Sequence, residues 1–399
     1  MNNLDNSIEK VSFEDISNRK ILVVDDAQSL LDLIACILKK VGFTNIHLVK
    51  NGQEAMEIIT SWAPDLIILD LMMPVMDGME VCRQVRSSEK TASIPIIVQT
   101  GMDDNKERLK AFESGASDLI TKPINALELV ARTKLHLHNR LLTEEKLSYQ
   151  QEINDELAMA KEVQKNLLPS PCSLVKIRKQ NKLNISSFFQ PSSALGGDFW
   201  GAKILSNDCI GFYITDFSGH GVVSALNTIR LHTLMFDVDD QWLEPSVLLT
   251  NLNQKLCDML PTGQFATMIL GVIFPEDKQM HYAASAAPAP ILGSWSNLSK
   301  YEYLDTTGLP LGINKSATYK THQIPFDKEN FLLCFSDALI ETKMTTGETL
   351  EDEGLIKLLK NLATQKANPD LLDQVIATFF ENSGNNLRDD LTALCFDYL

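Results

Sequence analysis

Asp25, Asp26 and Asp70, with Thr100 and Lys122, each stand at or just beyond the end of a short apolar run. The runs are Ile21 to Val24, Leu66 to Leu69, Ile94 to Val98 and Leu119 to Ile120. Three carboxylates crowded together repel one another, and a hard divalent cation such as Mg²⁺ would stabilise them. Lys122 supplies a point charge for an oxyanion, and Thr100 a hydroxyl for a phosphate oxygen. An aspartate so placed can act as a nucleophile toward a phosphoryl donor. One such residue alone reads as a helix N-cap after a strand. Five together do not.

A second acidic set lies far along the chain. Asp198 sits in Gly196-Gly197-Asp198, and Asp216 in Thr215-Asp216-Phe217-Ser218-Gly219-His220-Gly221. Asp337 follows Phe335-Ser336, and Asp389-Asp390 precede Leu391-Thr392. Converging, Asp198, Asp216, Asp337 and Asp389 would make an all-oxygen site suited to Mg²⁺ or Mn²⁺. Two ions about 3.5–4 Å apart would acidify a water and aim it in line at a phosphate.

Each set needs a frame. In the first part, apolar runs alternate with helical patterns (Leu30, Leu31, Ile34 and Leu38; Glu54 to Trp62), which predicts a parallel sheet covered on both faces. The carboxyl ends of such strands form the binding crevice. From Pro169 onward, longer strands are expected at 186–190, 209–215, 265–274, 279–285, 331–335 and 392–396. Helices are expected at 222–236 and 245–259. That order suggests an α/β sandwich. Between the two parts, Ile124 to Leu168 holds no Gly or Pro, and a helix there would span roughly 65 Å. Leu135, Leu142 and Tyr149 are seven apart, and Ile153, Leu157, Ala160, Gln164 and Leu167 continue in 4-3-4-3 spacing. This is the seam of a coiled coil with one polar position, and it offers a homodimer contact. The chain thus divides into an extension (1–18), an α/β domain (19–123), a helical linker (124–168) and a second domain (169–399).

Composition excludes several functions. A formal charge of −16 over 399 residues argues against general nucleic-acid affinity. No apolar run reaches membrane-span length, and the first 18 residues are polar without a signal-peptide core, so a cytoplasmic location is expected. None of the seven cysteines forms a Cys-x-x-Cys pair. Cys172 and Arg178 have a phosphatase-loop spacing, but no glycine lies between them to let a backbone wrap a phosphate.

The first domain resembles a response-regulator receiver. Val23-Val24-Asp25-Asp26, Leu69-Asp70-Leu71-Met72-Met73-Pro74 with Asp77-Gly78, Thr100-Gly101 and Thr121-Lys122-Pro123 carry the likeness. It implies a flavodoxin-like doubly wound sheet and phosphorylation of Asp70 by a sensor histidine kinase. It also implies Mg²⁺ on Asp25, Asp26, Asp70 and the Met72 carbonyl, with Thr100 and Lys122 on the phosphoryl group. Leu119 stands where the family usually has an aromatic switch residue.

The second domain, with its lead-in from Glu156, resembles the metal-dependent PPM (type 2C) protein phosphatases of the bacterial sporulation and stress-response branch. Gln164, Leu167-Leu168-Pro169, the aspartate motifs and Leu309-Pro310-Leu311-Gly312 carry the likeness. It implies an α/β/β/α sandwich and two Mn²⁺ or Mg²⁺ ions on Asp198, Asp216, the Phe217 carbonyl, Asp337 and Asp389. The activity implied is hydrolysis of a phosphoserine or phosphothreonine protein, by analogy an anti-sigma-factor antagonist. Three positions depart from the family: Gly201 for a second aspartate, Ala284-Ser285-Ala286-Ala287 for Asn-Ala-Gly-His, and Ala338 for glycine. The whole reads as a response regulator with a Ser/Thr phosphatase output. The alternative is a non-catalytic adaptor that binds a sigma factor or other regulator under receiver control. Gly-Gly-Asp-Phe also resembles a diguanylate cyclase signature, but Phe199 replaces the required glutamate.

Overall fold

The computed structural model describes residues 13–101, 105–205, 208–219, 221–236, 241–297, 300–345, 347, 349–362, 371–384 and 387–399. His220 lies outside them. The chain forms two compact units, Met1–Ile153 and Asn154–Leu399.

In the first unit, β1 (Ile21–Val24), β2 (Ile46–Val49), β3 (Leu66–Asp70), β4 (Ile96–Thr100) and β5 (Asp118–Thr121) make one sheet in the order β2-β1-β3-β4-β5. All four pairings are parallel. β1, β3 and β4 are buried along their whole length, which is why they are apolar without alternation. One face packs under α3 (Gly52–Trp62) and α4 (Gly78–Ser87) through Ala55, Ile59, Val81 and Val85. The other face takes Leu31, Ile34 and Leu38 of α2 (Gln28–Lys40) and Leu129 and Leu137 of α6 (Ala126–Leu167). α5 (Asn105–Glu113) completes the alternation. Ile16 of α1 (Phe13–Ser17) is buried in the same layer. Packing therefore begins ahead of residue 19, where the sequence reading starts the domain.

α6 is fastened to this unit by charge as well as packing. Arg132 and His136 meet the Asp118 carboxylate at 2.5 and 3.0 Å. Arg19 bonds Glu144 at 2.8 Å and Asp65 at 3.2 Å, while Arg140 bonds Glu144 at 2.9 Å. Residues 145–156 are then exposed on every side.

The second unit is a four-layer sandwich. β6 (Leu183–Gln190), β15 (Leu391–Tyr398), β14 (Asn330–Phe335), β11 (Ile291–Ser294) and β12 (Tyr301–Tyr303) form one antiparallel sheet. β7 (Asp198–Ile204), β8 (Ile210–Phe217), β9 (Ala266–Phe274), β10 (Gln279–Ser285) and β13 (His322–Pro325) form the other. Their inner faces interdigitate, with Phe212 and Phe396 at a ring separation of 4.4 Å. α8 (Val222–Phe236) and α9 (Pro245–Met259) cover one outer face; α11 (Glu351–Leu362) and α12 (Leu371–Ser383) cover the other. α10 (Ala338–Glu341) is a single turn beside the site. α7 (Pro171–Asn181) is a helix the sequence reading did not include; Ser170 caps it and Pro171 occupies its first turn. Cys172 and Arg178 lie on it, so they form no phosphate loop.

Two positions assigned to a dimer seam are used within the chain. Gln164 is buried with its amide bonded to Gly196 and Thr228, and Leu167 packs on the core under α8 and α9. A buried amide with satisfied partners is not available to a partner helix, which corrects the seam at its C-terminal end. Leu135, Leu142, Tyr149 and Ile153 remain exposed. Among the described residues no helix is long and apolar enough to cross a membrane.

Candidate functional site

In the first unit the strand ends gather the expected residues. Asp25 follows β1, Asp70 ends β3, Thr100 ends β4 and Lys122 follows β5. Lys122 Nζ lies 2.8 Å from Asp70 Oδ2 and 3.2 Å from Asp25 Oδ2. The Lys122 N–H also donates to the Thr100 carbonyl, tying the last two strand ends. Asp25, Asp70 and Thr100 are buried, while Asp26 is exposed. Each of Asp25, Asp26 and Asp70 offers an oxygen within 4.8 Å of the others. The Met72 side chain points to solvent, and its N–H approaches Asp70 Oδ1 at 3.5 Å. Burial raises the Asp25 carboxyl, outweighing the Ala27 N–H and Lys122. Burial alone would lower the Lys122 ammonium, but Asp70 and then Asp25 carry it above its ordinary value. A cation is thus already drawn to this pocket, and the three carboxylates fit a hard divalent ion. Leu119 is buried against the α3–α4 layer.

In the second unit the four aspartates come from two sheets at one end of the sandwich. Asp198 opens β7 and stands directly opposite Asp216 on β8. Asp337 follows β14, and Asp389 precedes β15, which pairs with β14. Asp198 is fully buried, and among the described residues its Oδ2 has no hydrogen-bond partner. Burial and then the Asp216 charge raise its carboxyl far above the ordinary range, against the side chains of Thr392 and Ser336. Burial, then Asp337, Asp389 and Asp390, push Asp216 up to about 7. Burial, then Asp389, push Asp337 up to about 6. Mutual repulsion at this level is what a cation relieves. An orphaned buried carboxylate oxygen in an all-oxygen set therefore fits divalent metal. The set does not contract to the 4.8 Å spacing seen for Asp25, Asp26 and Asp70. A set shared by two ions extends over two coordination spheres.

Two residues hold this end together that the sequence reading did not place as ligands. Asp390 is buried and accepts hydrogen bonds from the Ser192 N–H and hydroxyl at 2.7 and 2.9 Å and from the Gly197 N–H at 2.5 Å. Gln164 donates to the Gly196 carbonyl at 2.7 Å and to Thr228 Oγ1 at 3.1 Å, and accepts from the Gly196 N–H at 3.3 Å. Both grip the turn before Asp198. Glycine is required there: a Cβ on Gly197 would stand 2.7 Å from the Phe217 carbonyl oxygen, and one on Gly196 2.8 Å from Asp390 Oδ2. The doublet Asp389-Asp390 was visible in sequence, but the partners of Asp390 lie almost two hundred positions away.

Residues 21–134 match the family model of the response regulator receiver domain. Residues 206–399 match that of stage II sporulation protein E (SpoIIE). The chain is similar to the SiaA-PP2C domain of Pseudomonas aeruginosa at 20% identity, covering 63% of this chain and 98% of that one with a TM-score of 0.53. It is similar to a response regulator of Chloroflexus aurantiacus at 31% identity, covering 30% of this chain and 98% of that one with a TM-score of 0.30. A third likeness is to the RsbU and RsbW domains of a Mycobacterium tuberculosis protein, at 23% identity, 54% and 60% coverage and a TM-score of 0.47.

Proposed function

This chain belongs to the response regulators, with a receiver domain and an output domain of the SpoIIE, PP2C-like phosphatase family, and we propose that the output is a metal-dependent protein Ser/Thr phosphatase controlled by phosphorylation of Asp70. The observation that carries the reading is the joining of Asp198, Asp216, Asp337 and Asp389 at one end of the sandwich, with an orphaned buried oxygen on Asp198. Those four and the Phe217 carbonyl would hold two Mn²⁺ or Mg²⁺ ions. Bound there, the ions would acidify a water and neutralise charge on a phosphate ester. The protein's own part is to hold the oxygens in place. Asp390 and Gln164 fix the turn that sets Asp198 opposite Asp216. The substrate is a phosphoserine or phosphothreonine protein, by analogy an anti-sigma-factor antagonist, and the action is cytoplasmic.

In the receiver, Asp70 accepts the phosphoryl group from a sensor histidine kinase. Asp25, Asp26, Asp70 and the Met72 carbonyl would hold Mg²⁺, and Lys122 and Thr100 would contact the phosphoryl oxygens. The response reaches the output through α6, whose Gln164 bonds the Gly196 backbone on both sides.

The reading is tested with the full chain, Mn²⁺ and a generic aryl phosphate. Turnover that needs Mn²⁺ and falls by at least about a thousandfold in Asp216→Asn supports it, the scale expected where charge stabilisation in the transition state is removed. Absence of metal-dependent turnover, with and without acetyl phosphate, would leave the adaptor role in its place.

A further inference from the structure

Ser336 is buried at the point where β14 ends and Asp337 follows. β14 and β15 pair regularly as far as Phe335 opposite Ala393. The next two residues, Ser336 and Thr392, keep only half of the ladder. Residues of a hydrogen-bonded antiparallel pair exchange both N–H···O bonds. Here the Ser336 N–H donates to the Thr392 carbonyl at 2.8 Å. The Thr392 N–H donates instead to the Ser336 hydroxyl oxygen, at 2.9 Å. The Ser336 carbonyl accepts from the Leu339 N–H at 3.2 Å, which opens α10. Asp337 accordingly has a helical backbone, φ −60° and ψ −27°. The serine side chain thus stands in for a main-chain acceptor, and the strand turns at Asp337 without orphaning a buried N–H.

The same hydroxyl donates to the Asp390 carbonyl at 3.0 Å, with a longer approach to the Thr392 carbonyl at 3.4 Å. Its donor and an acceptor lone pair are therefore both engaged. The Asp390 carboxylate in turn holds the N–H groups of Ser192 and Gly197 ahead of Asp198. One run of hydrogen bonds joins the segments that carry Asp337, Asp389 and Asp198, and it crosses from one sheet to the other.

We infer that Ser336 is a positioning residue of the output metal centre, its hydroxyl setting where Asp337 stands relative to Asp389. The inference rests on the reading of the four aspartates as a metal site. A role confined to ending the strand would affect stability alone; a positioning role also affects the hold on the ion.

The test measures Mn²⁺ binding, not turnover, by the electron paramagnetic resonance signal of the free ion. It uses the full chain carrying Asp25→Asn and Asp26→Asn, which takes two carboxylates from the receiver centre so that the bound Mn²⁺ reports on the output. In that background Ser336→Ala should weaken Mn²⁺ binding by at least about tenfold, the scale of one buried hydrogen bond. Ser336→Cys, a poor donor and acceptor of similar size, should do the same and carries the test if the alanine variant does not fold. Ser336→Thr, which keeps the hydroxyl, should stay within about threefold of the background. Leu359→Val, a truncation in the core under α11, should lower the melting temperature and leave Mn²⁺ affinity unmoved. Unchanged affinity in the alanine and cysteine variants would overturn the role of Ser336, as would equal weakening by Leu359→Val. Absence of Mn²⁺ binding by the background chain would overturn the metal centre itself.

Discussion

Asp390 is a positioning residue, and its neighbourhood makes the role testable. Its two oxygens receive three hydrogen bonds, two from the backbone turn that leads into Asp198. Removing the carboxylate leaves buried N–H groups without partners, at about 1–3 kcal/mol each. Asp390→Ala is expected to weaken Mn²⁺ dependence of phosphoester turnover by at least about tenfold, with Asp390→Asn intermediate because it keeps one acceptor oxygen. A Mn²⁺ titration of turnover beside a thermal melt checks this. A lower melting temperature with unchanged Mn²⁺ dependence would mean the residue only supports the fold. Ala286 shows the opposite situation at this scale. It takes φ +52°, a left-handed backbone, where the resembled family places glycine.

At the scale of elements, α6 serves two masters. Its first part is held by Asp118, Asp65 and Arg19; its last turns belong to the core under α8 and α9. Burial alone would raise the Asp118 carboxyl, but Arg132 and His136 hold it below the ordinary carboxylate range. A depressed folded pKa contributes stability that is present above the unfolded value, about 3.9, and is lost as pH falls through the folded one. Asp118→Asn should therefore lower the receiver's melting temperature at neutral pH. The gap to the parent should close below about pH 4, which melts across a pH series measure. Between these anchors, residues 145–156 are exposed helix. A proline in such an interior costs about 3 kcal/mol and breaks the backbone ladder. Lys146→Pro should leave Mn²⁺-dependent turnover and Asp70 phosphorylation each intact while abolishing the effect of one on the other. Turnover with and without acetyl phosphate reads that out; retained coupling would show that the signal does not travel along α6.

At the scale of the whole molecule, two acidic centres in one chain need a defined hierarchy. The receiver centre holds its own cation in Lys122, 2.8 Å from Asp70, and so is poised for a phosphoryl donor. Among the described residues, the charged neighbours acting on Asp216 and Asp337 are carboxylates, with no such counter-charge. Acetyl phosphate with Mg²⁺ should change turnover or oligomeric state in the parent and leave Asp70→Ala unmoved. An equal response in both would remove the receiver from control. Sizing by light scattering in the same conditions tests whether exposed Leu135, Leu142, Tyr149 and Ile153 meet a second copy.

Much of this was legible in one dimension because its signals are local. A parallel sheet buried on both faces demands unbroken apolar strands, and its strand ends must carry the polar residues; Asp25, Asp70, Thr100 and Lys122 could be placed on that ground alone. Helices at 222–236 and 245–259 announced themselves by an uninterrupted pattern between turns, and the structure has them at those bounds. What the sequence could not determine is who answers whom across distance. Gln164 has the spacing of a seam residue, and only the fold shows that Gly196 and Thr228 satisfy its amide instead. Asp390 and the Gly201–Tyr213 contact are of the same kind. Hydrogen bonding and close packing depend on three-dimensional neighbours, and a pattern of residue types records only that some partner is needed.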